Sequence, residues 1–320
     1  MFAIIQRTVF LYIALGLVLG SILTIAMLGL RLGIDFTGGS LTEVSFAERP
    51  TQDVVESTLT ELDLGGFSVR ASQDEAGRDA FLIRTRDLTD SERAAVTERV
   101  TALGAEAEIT RFTSIGPVIG AELRSKAGWA IAAVMAIIIL YVAFAFAGIG
   151  TPVSSWTYGG ITILVLLHDV LIPTAVMSIL GVLLGAEVDV LFIMALLAVL
   201  GYSVNDTIVV FDRVREKLVQ NRAEHKSKRE EAGVYHEEVT YTLNRPYDEL
   251  VGEAVGETIT RSINTSLTTA LAVGALYFLG GTVTQTFALI LLAGVLAGTY
   301  SSICIASPLV VAYAKWKKLA

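Results

Sequence analysis

Three places in this sequence set ionisable side chains among apolar neighbours. The first runs from Gly201 to Arg213. Asp206 has apolar residues on both sides, Asn205 precedes it, Ser203 lies one helical turn earlier on its face, and Asp212 and Arg213 close the run. The second opens at Arg261, where Asn264, Thr265, Thr268 and Thr269 follow at i+3, i+4, i+7 and i+8, so a helix there carries a polar stripe down one face. The third is the pair His168-Asp169, with Pro173 one turn later; such a proline frees a backbone carbonyl and bends a helix. The chemistry these types suit is proton movement. A carboxyl holds its proton more tightly when buried and less tightly beside a guanidinium. A carboxyl whose access to Arg261 changed between conformations would therefore load and release a proton, and His–Asp pairs suit proton relays.

The elements that must position these groups are membrane spans. Of 320 residues, 53% are hydrophobic and 18% charged, and the mean hydropathy is +0.62. The charges concentrate in 31–126 and 212–261, whereas a soluble protein needs polar surface along every element. A helix crosses the hydrocarbon, about 30 Å thick, with about 20 residues. Six stretches qualify: 9–30, 127–147, 156–181, 188–211, 262–280 and 284–313. A charge inside such a span costs about 2.5–3.5 kcal/mol, which makes Asp206, His168-Asp169 and the Arg261 stripe candidates for function. Asp212 and Arg213 fit an interfacial role as readily. The run at 9–30 is long for a cleavable signal and is expected to stay as a helix.

Basic flanks set the expected orientation. Arg7 precedes the first span, Lys315, Lys317 and Lys318 follow the last, and 213–260 is rich in Lys and Arg. An even span count puts all three on one side, the cytoplasm, and leaves 31–126 outside, in a periplasm or its equivalent. The short loop at 148–155 carries no basic residue. Within 31–126, strands are expected at 40–46, 66–72, 79–85 and 105–113, with helices at 51–63 and 90–103 and a polar turn at Asp74-Glu75-Ala76-Gly77. The order β-α-β-β-α-β is ferredoxin-like. Thr89 or Ser91 would cap the second helix. Residues 222–248 lack apolar periodicity and read as a cytoplasmic loop, partly disordered.

At these residues the sequence resembles the SecD/SecF protein-export family of the RND superfamily. Gly33-Ile34-Asp35-Phe36-Thr37-Gly38-Gly39 resembles the signature that opens the family's external domain, and Gly116 to Leu123 the segment leading back to the membrane. His168-Asp169-Val170, Gly201 to Glu216, Arg261 to Thr269, and Tyr300-Ser301-Ser302 with Pro308 match further family stretches in order. Where the family commonly has Arg-Phe after Tyr-Val, this chain has Ala143-Phe144-Ala145 after Tyr141-Val142. The resemblance implies an α-helical membrane half of six spans with a SecD half as partner. Work beside the SecYEG channel on exported polypeptide follows from it, with YidC and YajC as neighbours and protons as the coupling ion. It also implies that Asp206 and Arg261 are the essential intramembrane charges.

A proton-coupled export subunit is thus one expectation. A non-conducting assembly subunit, with Asp206 and Arg261 as a static bridge, is a second, and half of a small-molecule or lipid exporter a third. No phosphate-binding glycine loop, Cys/His metal set or nucleophile elbow occurs, so neither an enzyme nor a cofactor is expected. Cys304 is the only cysteine, inside an apolar run, and the net charge of −8 comes with no basic cluster suited to nucleic acid.

Overall fold

The computed structural model describes residues 2–74, 76–104, 106–145, 152–231 and 234–318. Glu75, residue 105 and residues 146–151, which hold part of the expected turn, the last strand's first residue, the end of the second span and half of the loop after it, lie outside the described residues.

Six helices are long and apolar enough to cross a membrane: Arg7–Leu28, Pro117–Ala145, Ser155–Leu183, Val190–Gln220, Tyr247–Leu279 and Thr284–Trp316. In chain order the elements are α1 (Phe2–Ile5), α2 (Arg7–Leu28), α3 (Ile34–Thr37), β1 (Gly39–Ser45), α4 (Gln52–Thr60), β2 (Phe67–Gln73), β3 (Asp79–Thr85), α5 (Asp90–Thr101), β4 (Glu108–Ile115), α6 (Pro117–Ala145), α7 (Ser155–Leu183), α8 (Val190–Gln220), β5 (Arg222–Glu231), β6 (Val234–Leu243), α9 (Tyr247–Leu279), α10 (Thr282–Ser301), a π-helical turn (Ser302–Ala306) and α11 (Ser307–Trp316).

Three helices outrun the expected spans at their charged ends. Pro117 starts α6 ten residues early, where a proline suits a first turn with no N–H to satisfy. At the far side α8 continues to Gln220 and α9 begins at Tyr247. Ionic contacts hold these ends together: Lys217 Nζ lies 2.8 Å from Glu253 and 2.7 Å from Glu257, and Arg245 reaches Glu249 and Glu253 at 3.0 and 2.9 Å. The segment expected as a partly disordered loop is thereby reduced, and most of what remains is the antiparallel hairpin β5–β6. Its backbone register runs without a shift from Arg222 opposite Leu243 to Glu231 opposite Val234.

Between α3 and α6 lies a four-stranded antiparallel sheet in the order β2-β3-β1-β4. Its core joins Val44, Phe46, Val55, Leu59, Phe81, Ile83, Val96 and Val100. Thr89 caps α5 with a full capping box, its hydroxyl on the Glu92 N–H and the Glu92 carboxylate on the Thr89 N–H. Gly38 and Gly39 are close-packed. Both have positive φ, and a Cβ there would come within 2.7 Å of Pro117 Cα and 2.6 Å of Thr85 O; only glycine meets both demands.

The sheet domain is fastened to the turn between α7 and α8. Gly33 N–H donates to Val188 O at 2.8 Å and Val188 N–H to Arg31 O at 2.7 Å. Asp35 Oδ2 accepts the Val190 N–H at 2.9 Å, at the start of α8. Glu187 bridges Arg70 of β2 and Arg84 of β3 at 3.3 and 3.0 Å, and Arg84 also donates to Leu32 O and Thr37 Oγ1. Displacement of the sheet domain therefore loads α8 directly.

Candidate functional site

Helices α7, α8, α9 and α10 meet along a buried polar seam. In α7, His168 is 3% exposed and Asp169 fully buried, with His168 Nδ1 2.8 Å from Asp169 Oδ1. The other Asp169 oxygen accepts two hydroxyls, Ser203 Oγ of α8 and Ser301 Oγ of α10, the latter at 2.7 Å. Asp206 sits one turn beyond Ser203 and is 4% exposed. The hydroxyls of Ser262 and Ser302 face its carboxyl, and Arg261 lies within electrostatic reach without forming an ion pair. A neighbouring link joins Tyr202 Oη to Ser266 Oγ at 2.9 Å and Thr299 Oγ1 to Ser266 at 2.5 Å.

The seam is close because α10 is smooth where it meets α8. Gly294 and Gly298 are four residues apart, and a Cβ on them would come within 2.1 Å of Val199 Cγ2 and 3.0 Å of Ser203 Cβ. Small residues at this spacing let membrane helices approach closely. The π-turn follows at Ser302–Ala306. Such a wide turn changes the direction in which successive side chains leave a helix and occurs often at functional sites.

Within this seam the hydrogen bonding is incomplete. Among the described residues, the buried polar side-chain atoms without a partner are His168 Nε2, Asp206 Oδ2, Thr207 Oγ1, Ser262 Oγ and Ser307 Oγ. Three of these belong to the groups just described. An orphaned buried polar atom costs about 1–3 kcal/mol, so its retention calls for a physical role, a water or a transferable proton.

The expected site residues divide sharply. His168, Asp169 and Ser203 come together, and Asp206 joins the same seam. The stripe Arg261, Asn264, Thr265, Thr268 and Thr269 does not face Asp206: Arg261, Asn264 and Thr268 are exposed, and Thr265 and Thr269 half-buried. The threonine hydroxyls return to carbonyls of their own helix. Ser262 and Ser266 take the inward position instead. The reason lies in the first turns of α9, where Leu250, Val251, Ala254 and Val255 are buried; the same face continues through Thr258, Ser262 and Ser266. Asn205 is exposed too. Asp212 is exposed 3.9 Å from Arg215, while Arg213 pairs with Glu216 and Glu257. Ser301, Ser302, Ser262 and the Gly294–Gly298 pair were missed as site residues, although the glycine spacing is readable in the sequence.

Residues 95–316 match the family described as "Protein export membrane protein SecD/SecF, C-terminal", and residues 24–48 the "SecD/SecF GG Motif". The chain belongs to the SecD/SecF family. Relatives agree along its length. The protein translocase subunit SecF of Sebaldella termitidis is 34% identical, with 98% of this chain and 91% of that one covered; that of Thermobaculum terrenum is also 34% identical, covering 96% and 92%. The crystal structure of SecDF from Thermus thermophilus, described as a translocon-associated membrane protein, superposes with a TM-score of 0.79 at 32% identity, over 98% of this chain. The chain spans 38% of that longer one. SecDF in a super-membrane-facing form gives a TM-score of 0.63 at 33% identity. The protein is thus a multi-pass membrane member of a protein translocase subunit family. The polar seam draws on four of the family stretches, around His168, Asp206, Ser262 and Ser301.

Proposed function

We propose that this chain is the SecF-type half of a SecD–SecF machine that uses the proton gradient to promote late, ATP-independent steps of protein export through the SecYEG channel. The observation that carries this reading is Asp206, a carboxyl 4% exposed in mid-span with one oxygen unpartnered. An acid serving only as packing would have its hydrogen bonds filled. Each proton crossing gains about 2.3 kcal/mol per 100 mV, and α8, which carries Asp206, is bonded at its other end to the sheet domain.

In this reading the membrane is the bacterial inner membrane. The basic flanks at Arg7, the α8–α9 connection and Lys315 to Lys318 put both termini in the cytoplasm, and the sheet domain, ferredoxin-like in strand order, works in the periplasm. SecD is the partner half. Arg261 and Asn264 are exposed where the fifth span begins, and a polar face inside a bilayer must meet protein or water; the SecDF relatives carry both parts in one chain. YidC and YajC belong to the same neighbourhood. The chain acts as a translocation subunit rather than an enzyme, with protons in place of a cofactor.

The test is Asp206→Asn in membranes depleted of the native chain. Normal assembly with SecD and stalled late export is the expected result. Export at the wild-type rate would refute the motor, and lost assembly with no separable export defect would favour a static bridge.

A further inference from the structure

The wide turn in the last span lies beside two buried carboxyls. Ser301 and Ser302 are consecutive and fully buried. Ser301 donates to Asp169 Oδ2 at 2.7 Å, whereas the Ser302 hydroxyl, which donates to Thr299 O at 3.2 Å, lies on the side of Asp206 and can turn to it. Neighbouring residues on a helix point about 100° apart, so one step of backbone serves carboxyls on two different helices. A second link runs along α8. Ser203 donates to Asp169, and Asp206 lies one turn, about 4.5 Å, farther from the sheet domain on the same helix.

Charge balance makes the two carboxyls dependent on one another. Among the described residues, no Lys or Arg pairs with either, and the cation in direct contact, once protonated, is His168 on Asp169. The other titratable groups near the seam are Tyr202 on α8, Arg261 on α9, Cys304 in the π-turn and Tyr300 on α10, whose ring centroid is 6.1 Å from that of His168. Two carboxylates ionised together in one buried seam, joined through Ser203, repel each other and lack compensation. The orphaned atoms lie on both sides of the gap, His168 Nε2 at one end and Asp206 Oδ2 at the other.

We propose that His168–Asp169 is a second proton station in series with Asp206, and that Ser203, Ser301 and Ser302 connect the two across the π-turn. This rests on the proton-coupled reading of Asp206 and extends it. In the transfer, the Asp169 carboxylic acid gives its proton to an intervening seryl hydroxyl or internal water. That group passes its own proton on, and Asp206 is protonated while Asp169 becomes the carboxylate. The number of protons in the seam is unchanged by this step. His168, whose Nδ1 faces Asp169, then supplies the next proton. The π-turn is the element that can break the series, since rotation about Ser301–Ser302 separates one hydroxyl from its carboxyl.

The test reads the C=O stretch of protonated carboxyls by difference infrared spectroscopy after a pH jump, on the full chain in lipid vesicles with its partner half. Two titrating bands are expected, one lost in Asp206→Asn and the other in Asp169→Asn. In each single variant, and in Ser301→Ala/Ser302→Ala, the proton affinity of a remaining carboxyl should change by about tenfold, the scale of one charge-assisted hydrogen bond. The double serine variant keeps small side chains at both positions and so tests the link even if Asp169→Asn does not accumulate; its late export should fall about tenfold at equal membrane abundance. An Asp206 band that titrates unchanged in Asp169→Asn and in the double serine variant, with export unaffected, would overturn the two-station proposal while leaving Asp206 as the proton carrier. Normal export by Asp206→Asn would instead remove the reading beneath it.

Discussion

Two aspartates in this chain are almost equally buried and could hardly differ more in surroundings. Asp74, in the sheet domain, is 6% exposed, and Asp206, in the membrane, 4%. Asp74 is saturated: Oδ1 accepts the N–H groups of Ala76 and Arg78 at 2.9 and 2.8 Å, and Oδ2 accepts Ser45 Oγ at 2.9 Å and Arg78 Nε at 2.7 Å. Desolvation works against its charge, yet the Arg78 N–H and guanidinium and the Ser45 hydroxyl hold it down at about 2. It is ionised at neutral pH and fastens a turn. Asp206 has an unpartnered oxygen and a cation nearby that does not touch it. Burial is common to both, so burial alone does not mark a working carboxyl. Under the proposed function, the mark is incomplete hydrogen bonding with a counter-charge nearby but not in contact.

Exchanging the carboxyl for an amide at each position should separate the two kinds most widely. Asp206→Asn should lower proton-dependent export by about a hundredfold, the scale of removing a proton-transfer group, with membrane abundance near normal. Asp74→Asn should leave export at permissive temperature intact and lower the unfolding temperature of the sheet domain by about 5 °C, read by a thermal melt of the full chain in detergent. A matching export loss in Asp74→Asn would dissolve the distinction.

Next in size is the packing that holds the seam. At Gly294 a leucine has no room against Val199, and overpacking costs about 1–3 kcal/mol. Gly294→Leu should therefore reduce accumulation of the chain in the membrane. Gly298→Ala, against Ser203 Cβ at 3.0 Å, should assemble and export more slowly, because the helix that shifts carries Ser301 away from Asp169.

A smaller effect belongs to acid. The carboxyl of Asp74 lies at about 2 against an ordinary 3.8, and the Arg86 guanidinium and Thr89 N–H and hydroxyl hold Glu92 at about 2 against 4.5. Both are depressed in the native state, so the unfolded chain binds more protons there. Their stabilisation is complete above the unfolded values and is lost as pH falls from about 4 to about 2. Amide exchange of β2, β3 and α5 should rise through that window, and Asp74→Asn should flatten much of the rise. Glu92 contributes less, since water and salt screen an exposed pair.

How much of this could be read in the sequence differs between the same two regions. The sheet domain was legible because its signals are local: alternation in β1, and the Thr89–Glu92 box of α5. Its bonds to Glu187 were not, because they join residues far apart in the chain. Six spans were legible because hydrocarbon demands a long apolar run. Their ends were not, since α8 and α9 continue on ion pairs rather than on apolarity. Asp206, His168 and Asp169 stood out as charges in oil. The inward face of α9 is misjudged from the sequence because Leu250, Val251, Ala254 and Val255, which decide it, lie ahead of the expected span at 262–280. A polar stripe shows which face must meet something; which partner it meets is decided by packing elsewhere on the helix.

The finest test of the comparison lies where the regions join. Glu187 bridges Arg70 and Arg84 with all three side chains between 20% and 28% exposed. A pair in such a position is worth about 1 kcal/mol at most. Arg84 also keeps Leu32 O and Thr37 Oγ1 as acceptors, and Asp35 keeps the Val190 N–H. Glu187→Gln should therefore loosen the junction without releasing it. Exchange of the Gly33 and Val188 amides should rise by up to about fivefold, and late export should fall by less than that. Unchanged exchange would mean that the backbone bonds carry the junction alone. An export loss as large as that of Asp206→Asn would mean that force passes chiefly through Glu187, and the division between a static sheet domain and a working membrane seam would have to be redrawn at this turn.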